Sequence, residues 1–194
     1  MGYSQAQKAE SRQRVLENAS RQIREHGIEA LGVADCMRSA GLTHGAFYGH
    51  FSSRDALIVE ALEYALKQSK ERMAARSIHA GKRADITLQS IAETFLSEQH
   101  LDNPGNGCAL CALAGEARHA SADIRAMLTK YLRELTALVA QAASCENEKS
   151  ALGIVATIVG AITLARAVDD DKLARSILSS SLALVMTQDR ARGE

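Results

Sequence analysis

The chain has 194 residues, 46% of them hydrophobic, enough for one domain or two small ones around a buried core. Its 23 Lys and Arg balance 23 Asp and Glu, so charge alone does not single out nucleic acid, and 4% aromatic residues with a single Pro favour helices over strands. The opening Met1-Gly2-Tyr3-Ser4-Gln5 lacks the apolar run of a signal peptide, and the longest uncharged apolar run, Ala151 to Ala165, is shorter than the roughly 20 residues of a membrane span; both predict a cytoplasmic chain with no membrane partner.

Ser11 to His26 spaces Val15, Leu16, Ala19 and Ile23 along one helical face, with Arg12, Arg14, Arg21 and Arg24 among its polar positions. Gly27 closes that helix. A second one runs from Val33 through Cys36, Met37 and Ala40, and Gly41 can end it in the left-handed conformation without a Cβ penalty. Thr43 reads as the N-cap of a third helix, which sets Phe47 and Phe51 on a packing face and His44 and Tyr48 on an outward face. Ser52-Ser53-Arg54-Asp55 has the serine-x-x-acid form of a capping box and predicts a fourth helix through Leu57, Ile58, Ala61, Leu62 and Ala65. The arrangement is a helix-turn-helix whose second helix suits a DNA major groove.

Beyond it, Ser77 to Asp85, with Gly81 among charges, reads as a hinge. Helices are then expected from about Ala84 to His100, Cys108 to His119, Ser121 to Ala143, Glu146 to Val168 and Asp170 to Gln188, with Asp169-Asp170-Asp171 favouring the last helix N-terminus. Leu152, Val155, Val159 and Ile162 on the first of the last two helices, and Leu173, Ile177 and Leu184 on the second, form broad apolar surfaces. Those surfaces fit either a dimer interface or the core of one chain. Phe95, Met127, Leu128 and Tyr131, with Glu116 and His119 nearby, are either core or the lining of a small-molecule cavity.

Cys108-Ala109-Leu110-Cys111 is the chemically suggestive pair. Cys108 stands just after Gly107 at an expected helix start, where a thiol is acidified, so the pair reads either as a reactive dithiol or as two small buried hydrophobes. A zinc site would need two more ligands at a recognised spacing, and His100 and His119 do not supply one, so no metal or cofactor is expected. Cys36 falls on the buried side of the helix-turn-helix, and Cys145 at a helix junction.

From about Ser11 to about Leu66 the sequence resembles the DNA-binding domain of the TetR family of bacterial transcriptional regulators, on Gly41, on Phe47-Tyr48-Gly49-His50-Phe51 and on Asp55-Ala56-Leu57. The resemblance implies an all-α fold: a three-helix helix-turn-helix domain over residues 1–55, a connecting fourth helix over 53–77, and a larger effector-binding and dimerisation domain over 78–194. It implies double-stranded operator DNA as partner, with Thr43, His44 and Gly45 at the groove and Tyr48 and His50 at phosphates. Arg54 stands where the family usually has Lys and is expected to grip a phosphate. The family's last two helices form a two-fold dimer interface, which here would use the seven apolar residues named above, and its middle helices hold an effector pocket, here Phe95, Cys108, Cys111, Met127, Leu128 and Tyr131.

Across residues 1–55, Lys8, Arg12, Arg14, Arg21, Arg24, Arg38 and Arg54 face Glu10, Glu17, Glu25, Glu29, Asp35 and Asp55, so the expected reading head is itself nearly neutral. Three functions follow: a dimeric repressor released from a palindromic operator by a small molecule; the same regulator switched through Cys108 and Cys111; or a dithiol oxidoreductase. The last lacks the strand-helix setting usual for that chemistry, and no catalytic residue is expected.

Overall fold

Val15, Leu16, Ala19 and Ile23 recur at three- and four-residue steps and are all buried, so the first helix, α1 (Gln5–His26), lies with that face inward. The computed structural model describes residues 5–79, 86–143 and 148–190. Along the chain follow α2 (Val33–Ser39), a 3₁₀ segment (His44–Gly49), α3 (Arg54–His79), α4 (Leu88–Phe95), α5 (Glu98–Asp102), α6 (Ala109–Leu113), α7 (Ala122–Ala142), α8 (Glu148–Ala167) and α9 (Asp171–Arg190). Among the described residues the secondary structure is all helix and turn, as the composition implies.

Gly27 (φ 89°) and Gly41 (φ 76°) both take the left-handed conformation that ends α1 and α2. Phe47 and Phe51 stack at 5.8 Å between ring centroids and, with Met37, Leu57, Ile58 and Leu62, close a core against α1. Cys36 belongs to that core: its thiol donates to the Val15 carbonyl at 3.4 Å, and burial pushes its pKa up to about 11. The helix start in the Ser52–Asp55 stretch is capped by Ser53, whose hydroxyl accepts the Ala56 N–H at 3.0 Å. Asp170 caps α9 by accepting the N–H groups of Lys172 and Leu173 at 2.8 and 3.1 Å.

Three expectations are corrected. The helix expected over 84–100 is two, α4 and α5, because Ser97 accepts the His100 N–H at 3.1 Å and donates to the Thr94 carbonyl at 3.0 Å, restarting the helix on a new axis. The helix expected from Cys108 to His119 shrinks to α6 and a 3₁₀ turn at Ala117–His119. The expected hinge over 77–85 begins inside α3, which continues to His79; positions 80–85 lie outside the described residues, as does Cys145.

α1 packs on α3 and also on the turn Pro104–Asn106, so the helix-turn-helix unit shares an interface with the rest of the chain. Glu25 of α1 occupies the space a side chain at Gly105 would need. α8 is long and apolar enough over Lys149–Ala167 to cross a membrane, but Ala151, Ile154, Val155, Ile158, Ala161, Ile162 and Ala165 are buried against the chain's own helices.

Candidate nucleic-acid interface and cavity

The outward ridge of the helix-turn-helix is built by its buried one. Gly41 donates to the Arg38 carbonyl and Leu42 to the Met37 carbonyl, both at 2.9 Å, which folds the chain tightly into the segment that follows. That segment, His44–Gly49, is 3₁₀ rather than α-helical, and Thr43 is extended (φ −79°, ψ 152°) with no hydrogen bond from its side chain to the following N–H groups. Its hydroxyl is therefore not used as a cap. Thr43, His44, Gly45 and Tyr48 are all exposed, and Tyr48, at 76%, is held by the edge of Phe47 at 5.2 Å. Gly45 and Gly49 have no heavy atom within 4 Å of where a Cβ would stand, so the backbone there is open to close approach.

His50 is half-buried. Its Nδ1 is buried without a hydrogen-bond partner, and its pKa is lowered by burial first and then by Lys8 and Arg12. Arg12 donates to the His50 carbonyl at 3.4 Å, lies 4.8 Å over the Phe51 ring and pairs with Glu60. Lys8 and Arg12 on α1 thus border the ridge, which the even scatter of charge along α1 does not reveal. Arg54 is corrected: its Nη2 donates to the carbonyls of Ile28 (2.5 Å) and Glu29 (3.2 Å) and its Nε to that of Leu31 (3.4 Å). The guanidinium ties α3 to the loop between α1 and α2 instead of standing free for a phosphate.

A cleft of about 220 Å³ opens between α3 and the α4–α6 region, lined by Arg72, Phe95, His100, Asn103, Gly107 and Cys108 among others. Of the six expected pocket residues, Phe95 and Cys108 line it. Cys111, Met127, Leu128 and Tyr131 are buried outside its lining, and the neighbours expected there are committed elsewhere: Glu116 accepts the Ile28 N–H at 2.9 Å and His119 accepts from Arg118 at 2.7 Å. Arg72 and Asn103 were not expected, since polar residues on a long helix or a loop look like solvated surface. His100 accepts the Cys108 N–H on Nε2 at 3.0 Å and donates from Nδ1 to the Phe95 carbonyl at 2.7 Å, a neutral tautomer locked at both ends.

Cys108 is the N-cap of α6, with Sγ 3.5 Å from the Tyr131 hydroxyl. Its pKa is lowered to about 6 by the Cys111 thiol, then the Tyr131 hydroxyl and the N–H groups of Cys111 and Leu110, all of which favour the thiolate against the cost of burial. Cys111 is shifted the other way by its bond to Cys108 and by burial, so it keeps its proton. Among the described residues no group of three or more His, Cys, Asp or Glu is arranged to hold a metal ion.

The α8–α9 face divides the seven residues expected at a dimer interface. Leu152, Leu173 and Leu184 are exposed, Val159 and Ile177 half-buried, and Val155 and Ile162 are corrected: both are fully packed inside the chain. Leu164, also on α8 and 59% exposed, was not expected. α8 is apolar all round, so its sequence does not show which side faces its own chain.

Residues 15–61 match the family described as bacterial regulatory proteins, tetR family. The chain is 33% identical over 92 residues to an uncharacterized HTH-type transcriptional regulator of Bacillus subtilis, YvdT, covering 46% of this chain and 47% of that protein. It is 31% identical over 64 residues to a second from the same organism, YerO, covering 33% and 22%. The chain thus spans less than half the length of either curated relative. Among solved structures it is similar to a TetR transcriptional regulator from Chloroflexus aurantiacus (TM-score 0.75, 22% identity, 94% of this chain and 95% of that one). It is also similar to Escherichia coli NemR in its reduced form (TM-score 0.73, 21% identity, 90% and 94%). The helix-turn-helix over residues 15–61 is thus one that the tetR family model describes, and the fold of the whole chain is shared with solved TetR-type structures.

Proposed function

We propose that the chain is a cytoplasmic, homodimeric repressor whose two heads read a palindromic operator and let go when a small molecule fills the cleft beside Cys108. The observation that carries the reading is the ridge Thr43–Tyr48, exposed on one side and braced on the other by buried Phe47 and Phe51. Thr43, His44 and Gly45 meet base edges, and Tyr48 and His50 meet phosphates. Residues 1–55 make up the reading head, α3 connects, and 78–194 hold the cleft and the dimer face. Leu152, Leu164, Leu173 and Leu184 supply the contact between copies. The cleft is coupled to the head because Arg24 of α1 donates to the carbonyl of Gly107, a cleft residue, at 3.4 Å.

The test is selection of bound sequences from a randomised duplex library at two salt concentrations. Enrichment of a palindrome that a Tyr48→Ala, His44→Ala double variant no longer enriches supports the reading, and no enrichment at low salt overturns it.

A second reading keeps the regulator and replaces the ligand by oxidation or alkylation of Cys108 or Cys111. It is favoured by Cys108 lining the cleft with Cys111 as its hydrogen-bond donor. An oxidant response that survives replacement of both by Ser sinks it.

A further inference from the structure

The lining of the cleft holds a cation and no Asp or Glu. Arg72 of α3 stands on it, with Nη2 donating to the neutral Ser69 hydroxyl at 3.3 Å. Against the same wall lies Arg24 of α1, 4% exposed: its Nε is buried without a hydrogen-bond partner, and its Nη1 donates to the carbonyl of the lining residue Gly107 at 3.4 Å. Among the described residues neither guanidinium is in an ion pair with a carboxylate. Glu25, next to Arg24 in sequence, is exposed and sits against Gly105 and His26, outside the lining. Burial lowers the Arg24 pKa to about 10 and Arg72 acts next in the same direction, so Arg24 stays charged at neutral pH. His100 adds no charge, since its ring nitrogens are held by Phe95 and Cys108, and Cys108 as thiolate supplies one negative charge against two positive ones. A buried guanidinium without a counter-charge is costly, so an anion entering the cleft meets a partner whose desolvation folding has already completed.

Resting on the reading that the cleft governs DNA binding, we propose that its ligand is a small aromatic monocarboxylate, with the carboxylate on Arg72, Arg24 behind it as the second cation, and the ring against Phe95. Guanidinium and carboxylate match in two parallel N–H···O bonds, a geometry that a neutral amide cannot repeat. One net positive charge remains on the wall once Cys108 is counted, so a single carboxylate neutralises it, whereas a phosphate ester or a dicarboxylate overshoots and an amine is repelled. The cleft, about 220 Å³, lies under the roughly 300 Å³ at which sites for drug-sized ligands begin, which limits the body of the ligand to about one ring. Phe95, held edge-on to His100 at 5.5 Å, supplies the flat apolar surface for that ring. The ligand's charge also draws on Arg24 and thus on its bond to Gly107, the link from the cleft to α1.

The experiment titrates the full-length protein with benzoate and with benzamide, its uncharged isostere, and follows heat of binding, melting temperature and anisotropy of a selected operator duplex. Benzoate is expected to bind and raise the melting temperature, and benzamide to bind about tenfold more weakly or worse. Arg72→Gln lowers benzoate affinity by about tenfold or more and Arg72→Lys by less, whereas Lys130→Gln, which removes an exposed cation of α7 outside the cleft lining, leaves it unchanged. Arg24→Met without benzoate melts no lower than the parent, because an apolar chain replaces a buried unpaired charge, and it binds benzoate several-fold more weakly. Equal binding of benzoate and benzamide, no benzoate binding at about 10 mM, or an equal loss in Lys130→Gln overturns the ligand class. A fall in melting temperature in Arg24→Met makes Arg24 a brace for the turn and overturns its part as second cation. Benzoate that binds through Arg72 with operator affinity unchanged establishes the ligand and sinks the reading that the cleft governs DNA. A protein that binds no duplex at all sinks the regulator reading, while heat and melting still decide this one.

Discussion

The Glu116 carboxylate accepts the Ile28 N–H at 2.9 Å and fills the space above Gly27, so the turn that ends α1 is closed by a residue of the α6–α7 connection. A Cβ on Gly27 would stand 2.6 Å from Glu116 Oε1 on a backbone already at φ 89°. The head and the cleft half are therefore joined at this turn as well as through Arg24 and Gly107.

Gly27→Ala is expected to destabilise the protein by about 2 kcal/mol, roughly half from the left-handed backbone and half from the carboxylate it displaces. Glu116→Ala alone costs about 1 kcal/mol, because Ile28 loses its acceptor in a half-buried place. In the double variant the clash is gone, so the two effects sum to less than their parts by about 0.5–1 kcal/mol. Urea denaturation of the four proteins measures this, and strict additivity removes Glu116 from the account of the turn.

Arg54→Ala is expected to act on stability before it acts on DNA. Three carbonyls of the α1–α2 loop lose a shared charged donor, a loss of about 1–2 kcal/mol at a half-exposed site, and Arg54→Lys recovers only part of it because an ammonium cannot span all three. Thermal denaturation should show a fall of a few degrees for Ala and less for Lys. A variant with unchanged melting and reduced operator affinity would return Arg54 to the phosphate role.

What the sequence shows of this fold is what depends on local spacing. Phe47 and Phe51, four apart, are buried and Tyr48 between them is exposed, because the Phe51 N–H bonds the Phe47 carbonyl at 2.9 Å, an α-type step that closes the 3₁₀ segment and brings both rings to one face. The apolar spacing shows that shared face and not the 3₁₀ turns that precede it. Arg54 reads as a free cation because the carbonyls it serves are 23 to 26 residues away. The cleft was half legible: Cys108 announces itself by its helix start, whereas Arg72 reaches it only because α3 packs beside α6, a long-range contact no local pattern encodes.

The dimer proposal has a direct check in Leu164 and Leu184, exposed at 59% and 51%. Leu164→Glu with Leu184→Glu places four carboxylates at a two-fold contact and buries none inside the chain, so the monomer should keep its helical content and melting within about 0.5 kcal/mol of stability. Sedimentation is expected to shift from dimer to monomer, with operator affinity falling because one head engages one half-site. A double variant that remains dimeric moves the interface off this surface.

The pH dependence of operator binding reports on His50. Its pKa in the free protein is lowered by burial and then by Lys8 and Arg12, so near neutral pH the ring is uncharged. In the free protein this depressed value means that the unfolded chain takes up the proton first, and the contribution of His50 to stability is lost as the pH falls through its folded pKa. A phosphate seated against the ring reverses the local balance, because the anion favours the imidazolium and outweighs the two cations. The complex then holds more protons than its parts, and affinity must rise as the pH falls from about 7.5 to about 6, by at most about tenfold per pH unit for one proton. Anisotropy titrations at constant ionic strength measure the slope. His50→Gln should flatten it while the response to salt persists; an unchanged slope in that variant places His50 away from the phosphates.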